Sequence, residues 1–72
     1  MTRDPLLAEL TALRRQAGMT RRELARRSGV WIGTIERWDA GLRHPNLYNL
    51  RLVADVLDVE LALKPKETPN VQ

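Results

Sequence analysis

Residues 20–41 read TRRELARRSGVWIGTIERWDAG, and the punctuation of this stretch decides the fold. Thr20 and Glu23 are spaced as a capping box, so a helix starts at about Arg21, with Met19 placed to staple its first turn. Its apolar side is short, chiefly Leu24 and Ala25, and Ser28-Gly29 ends it. After a turn through Val30, another helix is expected from about Ile32 to Ala40. Ile35 and Trp38 would face inward, and Gly41 would close it. The stretch therefore holds two short helices joined by a tight turn at Gly29.

Working outward, Asp4-Pro5 reads as an N-cap followed by proline at the first helical position. Leu6, Leu10, Leu13 and Ala17 then recur at helical spacing, and Gly18 suits the cap that ends this first helix. Beyond the loop Leu42-Arg43-His44-Pro45, Asn46 is a reasonable N-cap for a fourth helix. Its apolar stripe is Leu47, Leu50, Val53, Ala54 and Leu57. From Val59 to Lys64 the period becomes alternating, with Val59, Leu61 and Leu63 on one side, and predicts a short strand. Its alternative is a frayed tail or a continuation of the fourth helix. Residues 65–72 are polar and proline-bearing and are expected to be a disordered tail. The expected fold is all-α: four helices over residues 1–64, with a C-terminal strand that can pair across a dimer.

Seventy-two residues allow one domain, and a chain this short buries only about 60% of its extended-chain surface. With no cysteine and one histidine, neither a disulfide nor a metal site built on several imidazoles or thiolates is expected. The longest apolar run is three residues, so a soluble, cytoplasmic domain without a membrane span is expected. Charge is more informative. Residues 1–51 hold ten basic and five acidic side chains, a balance of +5, and residues 52–72 hold two and four, a balance of −2. Eight of the ten arginines lie between positions 14 and 43. That asymmetry fits a nucleic-acid or membrane-surface partner, although arginines also solvate ordinary helix faces.

A pair of helices of this build is a helix-turn-helix. The residues resemble the lambda repressor/Cro class of such regulators, also called xenobiotic-response-element-type. The match runs through Leu13-Arg14, Gly18 to Ala25, Ser28-Gly29-Val30, Thr34-Ile35, Asp39-Ala40-Gly41, Arg43, Pro45 and Leu50, and covers about residues 6–58. The resemblance implies double-stranded DNA as partner, phosphate contacts at Arg21 and Arg43, and an arginine–acid pair, Arg14 with Asp39, clamping the first helix to the end of the third.

Helix geometry points the same way, because an α-helix fits the major groove and its outer face reads base edges. With Ile35 and Trp38 turned inward, Ile32, Gly33, Glu36 and Arg37 face outward with Thr34 close to them. Arg37 is the candidate for a bidentate contact to guanine. Glu36 could pair with Arg37 or Arg43, or accept from cytosine. Trp31, Ile32 and Gly33 depart from the family's polar start to this helix. Three readings stand: Trp31 and Ile32 pack on thymine methyls or the sugar-phosphate edge, they contact a protein, or they pack locally.

The strand supplies the last expectation. An isolated strand leaves its backbone groups unpaired, so Val59, Leu61 and Leu63 would join a second copy in a homodimer. The ending Leu57 to Pro65 also resembles HipB-type antitoxins, over barely ten residues. The expected function is a dimeric, sequence-specific transcriptional repressor on a palindromic operator. The alternative is an antitoxin or interaction module that sequesters a toxin or another protein. No enzyme chemistry, catalytic residue, metal or cofactor is expected.

Overall fold

The computed structural model describes residues 4–42, 44–63 and 65, and holds four α-helices among them. These are α1 (Pro5–Gln16), α2 (Arg21–Ser28), α3 (Ile32–Asp39) and α4 (Leu47–Val56). Local chemistry explains most boundaries. Asp4 accepts the Leu6 N–H at 2.8 Å, Thr20 the Glu23 N–H at 3.0 Å, and Asn46 the Asn49 N–H at 2.7 Å, each satisfying a first-turn donor with no partner inside its helix. The box at Thr20 is only half closed. The Glu23 carboxylate turns outward to Arg26 and Arg27 instead of returning to the Thr20 backbone. Helices α1 and α3 end in matching caps: Met19 N–H reaches Arg14 C=O at 3.1 Å, and Leu42 N–H reaches Arg37 C=O at 2.8 Å.

The turn between α2 and α3 depends on Gly29, whose φ is +78° while its N–H bonds the Ala25 carbonyl at 2.9 Å. A Cβ there would meet no atom within 4 Å, so only the backbone objects to a side chain. Gly29→Ala should therefore lower stability by about 1–2 kcal/mol, the cost of a left-handed L-residue. Urea unfolding checks this, and an unchanged midpoint would show that the turn relaxes freely.

The core is built from Leu7, Leu10, Leu24, Val30, Ile35, Trp38, Leu50 and Val53. Helix α2 packs against α3 and α4, and α1 packs against α3. The buried side of α1 differs from the periodic reading: it is Leu7, Leu10, Thr11 and Arg14, while Leu6 and Ala17 are exposed. The two stripes share Leu10, and Leu13 of the expected one packs partly buried against the core, so the periodic reading fails at Leu6 and Ala17. The stripe with two polar residues wins because Thr11 and Arg14 find a partner across the helix interface. Leu47, placed in the α4 stripe by its spacing, is also exposed.

Of the strand expected over 59–64, residues 59–63 are not in strand conformation. Among the described residues there is no strand, and 59–63 leave α4 as irregular chain after Asp58, whose φ is +61°. A strand needs a second row of backbone donors and acceptors, and none of the described residues supplies one. Val59 and Leu61 pack instead against the core cluster, whereas Leu63 is fully exposed. Lys64 and the expected tail, apart from Pro65, lie outside the described residues.

Candidate nucleic-acid interface

Helix α3 is anchored by Ile35 and Trp38, which are 2% and 5% exposed. Their burial turns the opposite side of the helix outward. Glu36 is exposed there, with Ile32, Gly33, Thr34 and Arg37 half-buried around it. Trp31 occupies the N-cap position and makes no side-chain cap bond, since an indole has no acceptor for a backbone N–H. Its side chain folds back along the helix. A Cβ built on Gly33 would stand 2.5–2.7 Å from three atoms of the six-membered ring, so the indole rests where any other residue would carry a side chain. The Arg37 guanidinium lies over the same indole, 5.2 Å from its centroid. Of the three readings for Trp31, local packing is what the free chain displays, and it leaves the ring 65% exposed.

The contact brings the guanidinium carbon of Arg37 over the indole and uses none of its N–H donors in a hydrogen bond. The five N–H donors of Arg37 lie in the plane of that group, and among the described residues none has a hydrogen-bond or ion-pair partner. Glu36, five residues beyond Trp31, has no ion pair among the described residues either.

Asp39, the last residue of α3, gathers three helices. Its Oδ1 accepts from Thr11 Oγ1 at 3.0 Å, and its Oδ2 accepts from Arg21 Nε at 2.6 Å and lies 3.5 Å from Arg14 Nη2. The structure thus brings Arg14 and Asp39 together, as the resemblance implied, and both side chains are about nine-tenths buried. Arg14 is fixed further by Nη1 donating to the Met19 carbonyl at 2.7 Å. Arg21, expected at phosphate, places its Nε on Asp39 while its side chain stays 48% exposed. The pairing has an electrostatic reason, because a carboxylate at a helix C-terminus opposes the dipole until cations surround it.

The remaining arginines of α2 divide. Arg26 and Arg27 each bond Glu23 at 2.7 Å, three and four residues along the helix. The Arg26 hydrogen bond, aided by that of Arg27, holds the Glu23 carboxyl below the ordinary carboxylate range. Both pairs are surface pairs and add little stability. Arg22 is exposed and has no ion pair among the described residues, so it is a cation at the start of α2 that the sequence reading passed over. Its signal was only adjacency to Arg21. Arg43, the other expected phosphate contact, lies outside the described residues.

Two short helices across a glycine turn, with the second presenting free donors outward, define the arrangement. A family model described as helix-turn-helix matches residues 10–64. The chain belongs to the helix-turn-helix family. In helix-turn-helix terms, α2 and α3 are the two members of the unit, and α1 and α4 support them. Over 64 residues the chain is 39% identical to an uncharacterised helix-turn-helix-type transcriptional regulator, y4dL, of Sinorhizobium fredii. That match takes in 89% of this chain and 33% of the relative, so the chain spans about a third of the relative's length. No helix among the described residues is long and apolar enough to cross a membrane.

Proposed function

We propose that this helix-turn-helix chain is a sequence-specific double-stranded DNA-binding transcriptional regulator of the lambda repressor/Cro-like subtype. It acts as a dimeric repressor, and α3 enters the major groove of a roughly palindromic operator. The observation that carries this reading is Arg37, an arginine on the outward side of α3 whose in-plane donors have no partner among the described residues. Arg37 takes guanine, Thr34 and Glu36 face neighbouring base edges, Ile32 lies along them, and Arg22, Arg21 and Arg43 serve phosphates. The balance of +5 over residues 1–51 supplies the attraction that brings a polyanion to this side. A chromosomal ligand places the working chain in the cytoplasm.

Dimerisation follows from scale. One unit this small reaches few phosphates, whereas two units about 34 Å apart engage successive half-sites. Val59, Leu61 and Leu63 are the proposed contact between copies, and the full exposure of Leu63 in the single chain supports that use.

Fluorescence anisotropy on a duplex library at two salt concentrations tests the proposal. Tight binding to an enriched, two-fold symmetric site is expected, with log affinity falling linearly against log salt. Absence of duplex binding at low salt, together with no enriched site, would defeat it. A second reading has its own observation: Leu42, Leu47 and Tyr48, at and just before the start of α4, are 68%, 55% and 72% exposed. Such side chains suit a protein-binding module, including an antitoxin that holds a toxin. Co-purification of a stoichiometric partner without any enriched DNA site would favour that reading.

A further inference from the structure

We propose that Trp31, Gly33 and Arg37 act as one composite reader of a thymine–guanine step, in which Arg37 pairs with the guanine and the indole packs on the C5 methyl of the adjoining thymine. This rests on the DNA-binding reading above and adds a specificity element to it.

Three features of the molecule combine. Gly33 is the only residue type that admits the indole, since a Cβ would come within 2.5–2.7 Å of ring atoms. The guanidinium of Arg37 lies over that ring at 5.2 Å, which limits where the arginine's flexible stem can place its head. The ring is nevertheless 65% exposed, so a large apolar surface stands beside free, charged donors on the side of α3 away from Ile35 and Trp38.

Base chemistry identifies what such a surface meets. A guanidinium bonded to guanine O6 and N7 lies in the plane of that base pair. An indole in contact with that guanidinium then sits near the next base pair, one step of about 3.4 Å away. The apolar group that the four natural bases present in the major groove is the thymine methyl. An indole edge placed there gains from a methyl and loses against the amino or carbonyl edges of other bases, whose water it would displace without replacing a hydrogen bond. Holding Arg37 against the ring also reduces the side-chain entropy lost when it pairs with guanine.

The test uses the full chain and the duplex it selects from a random library. That site should contain thymine beside the guanine read by Arg37. Replacing this thymine with deoxyuridine removes only the methyl, and affinity should fall about fourfold, the effect of taking one methyl-sized group out of contact. Trp31→Ala should bind the thymine and uracil duplexes equally, with far-UV circular dichroism unchanged because Trp31 is exposed. Gly33→Ala provides an independent variant: alanine favours the helix, yet its Cβ expels the ring, so it too should lose the distinction. Equal wild-type affinity for both duplexes, a selected site lacking that thymine, or discrimination surviving in Trp31→Ala overturns the composite reader while leaving DNA binding intact. Failure to bind any duplex overturns both.

Discussion

Asp39→Ala is expected to destabilise the fold by about 3–5 kcal/mol, the loss found when one partner is removed from a buried ion pair. The size follows from what the carboxylate leaves behind. Arg14, 7% exposed, would keep its charge in the interior with only the Met19 carbonyl to answer it, and the Thr11 hydroxyl would lose its acceptor. Both residues sit on α1, so the α1–α3 contact weakens as a unit. For a domain of this length total stability is about 4–11 kcal/mol, and the variant would be marginal or unfolded at room temperature. Urea denaturation of wild type, Asp39→Ala and Arg21→Ala separates the contributions. Arg21 is half exposed, so its loss should cost only about 0–1 kcal/mol despite the shorter bond. An Asp39→Ala loss under about 1 kcal/mol would show that Arg14 reaches water instead.

Arg37→Ala should weaken binding to the selected duplex by about 1–3 kcal/mol and relax preference at one base pair. The reason lies in its contacts: the guanidinium carbon rests over the indole, and its N–H donors have no hydrogen-bond or ion-pair partner among the described residues. Arg22→Ala provides the contrast, because an exposed cation at the start of α2 should contribute to every sequence alike. It should lower all affinities evenly and reduce the salt slope by about one. Competition binding at two salt concentrations distinguishes the two patterns. A sequence-independent loss in Arg37→Ala would make Arg37 a backbone contact, and no loss would remove α3 from the interface. Arg21→Ala is a poorer probe of phosphate contact, since Arg21 also bonds Asp39.

Much of the architecture was legible because it is encoded in short-range chemistry. Asp4-Pro5, Thr20, Gly29 and Asn46 act within one turn of where they stand, and the helices begin or end there. Ile35 and Trp38 were readable as core for a similar reason: three residues apart, they fall on one side of an eight-residue helix. The inner side of α1 was not readable. Its stripes differ by one position, and the choice depends on Asp39, 25 residues from Arg14 and 28 from Thr11. The strand failed for the opposite reason, since alternation describes which faces a segment could offer and cannot furnish the partner that makes it a strand.

At the candidate site, the outward set on α3 followed from helical period alone, including Arg37, Glu36 and Thr34. The fold of Trp31 over Gly33 did not. It depends on an exposed side chain choosing one rotamer among several, and that choice is made by the vacancy at Gly33 and the charge of Arg37 together. Likewise, nothing near Arg21 in sequence reveals that its guanidinium turns toward the end of α3.

Taken alone, the order of residues determined where the helices start and stop, which side of α3 is free, and where positive charge accumulates, because caps, periodicity and charge counts act through neighbours along the chain. Tertiary structure decided which arginines are already occupied, which stripe of α1 is buried, and how Trp31 lies beneath Arg37. The first two outcomes depend on groups far apart in sequence that meet only after the helices pack, when each buried charge must find an opposite one, and the third on a side-chain rotamer within α3 and its cap that periodicity does not encode.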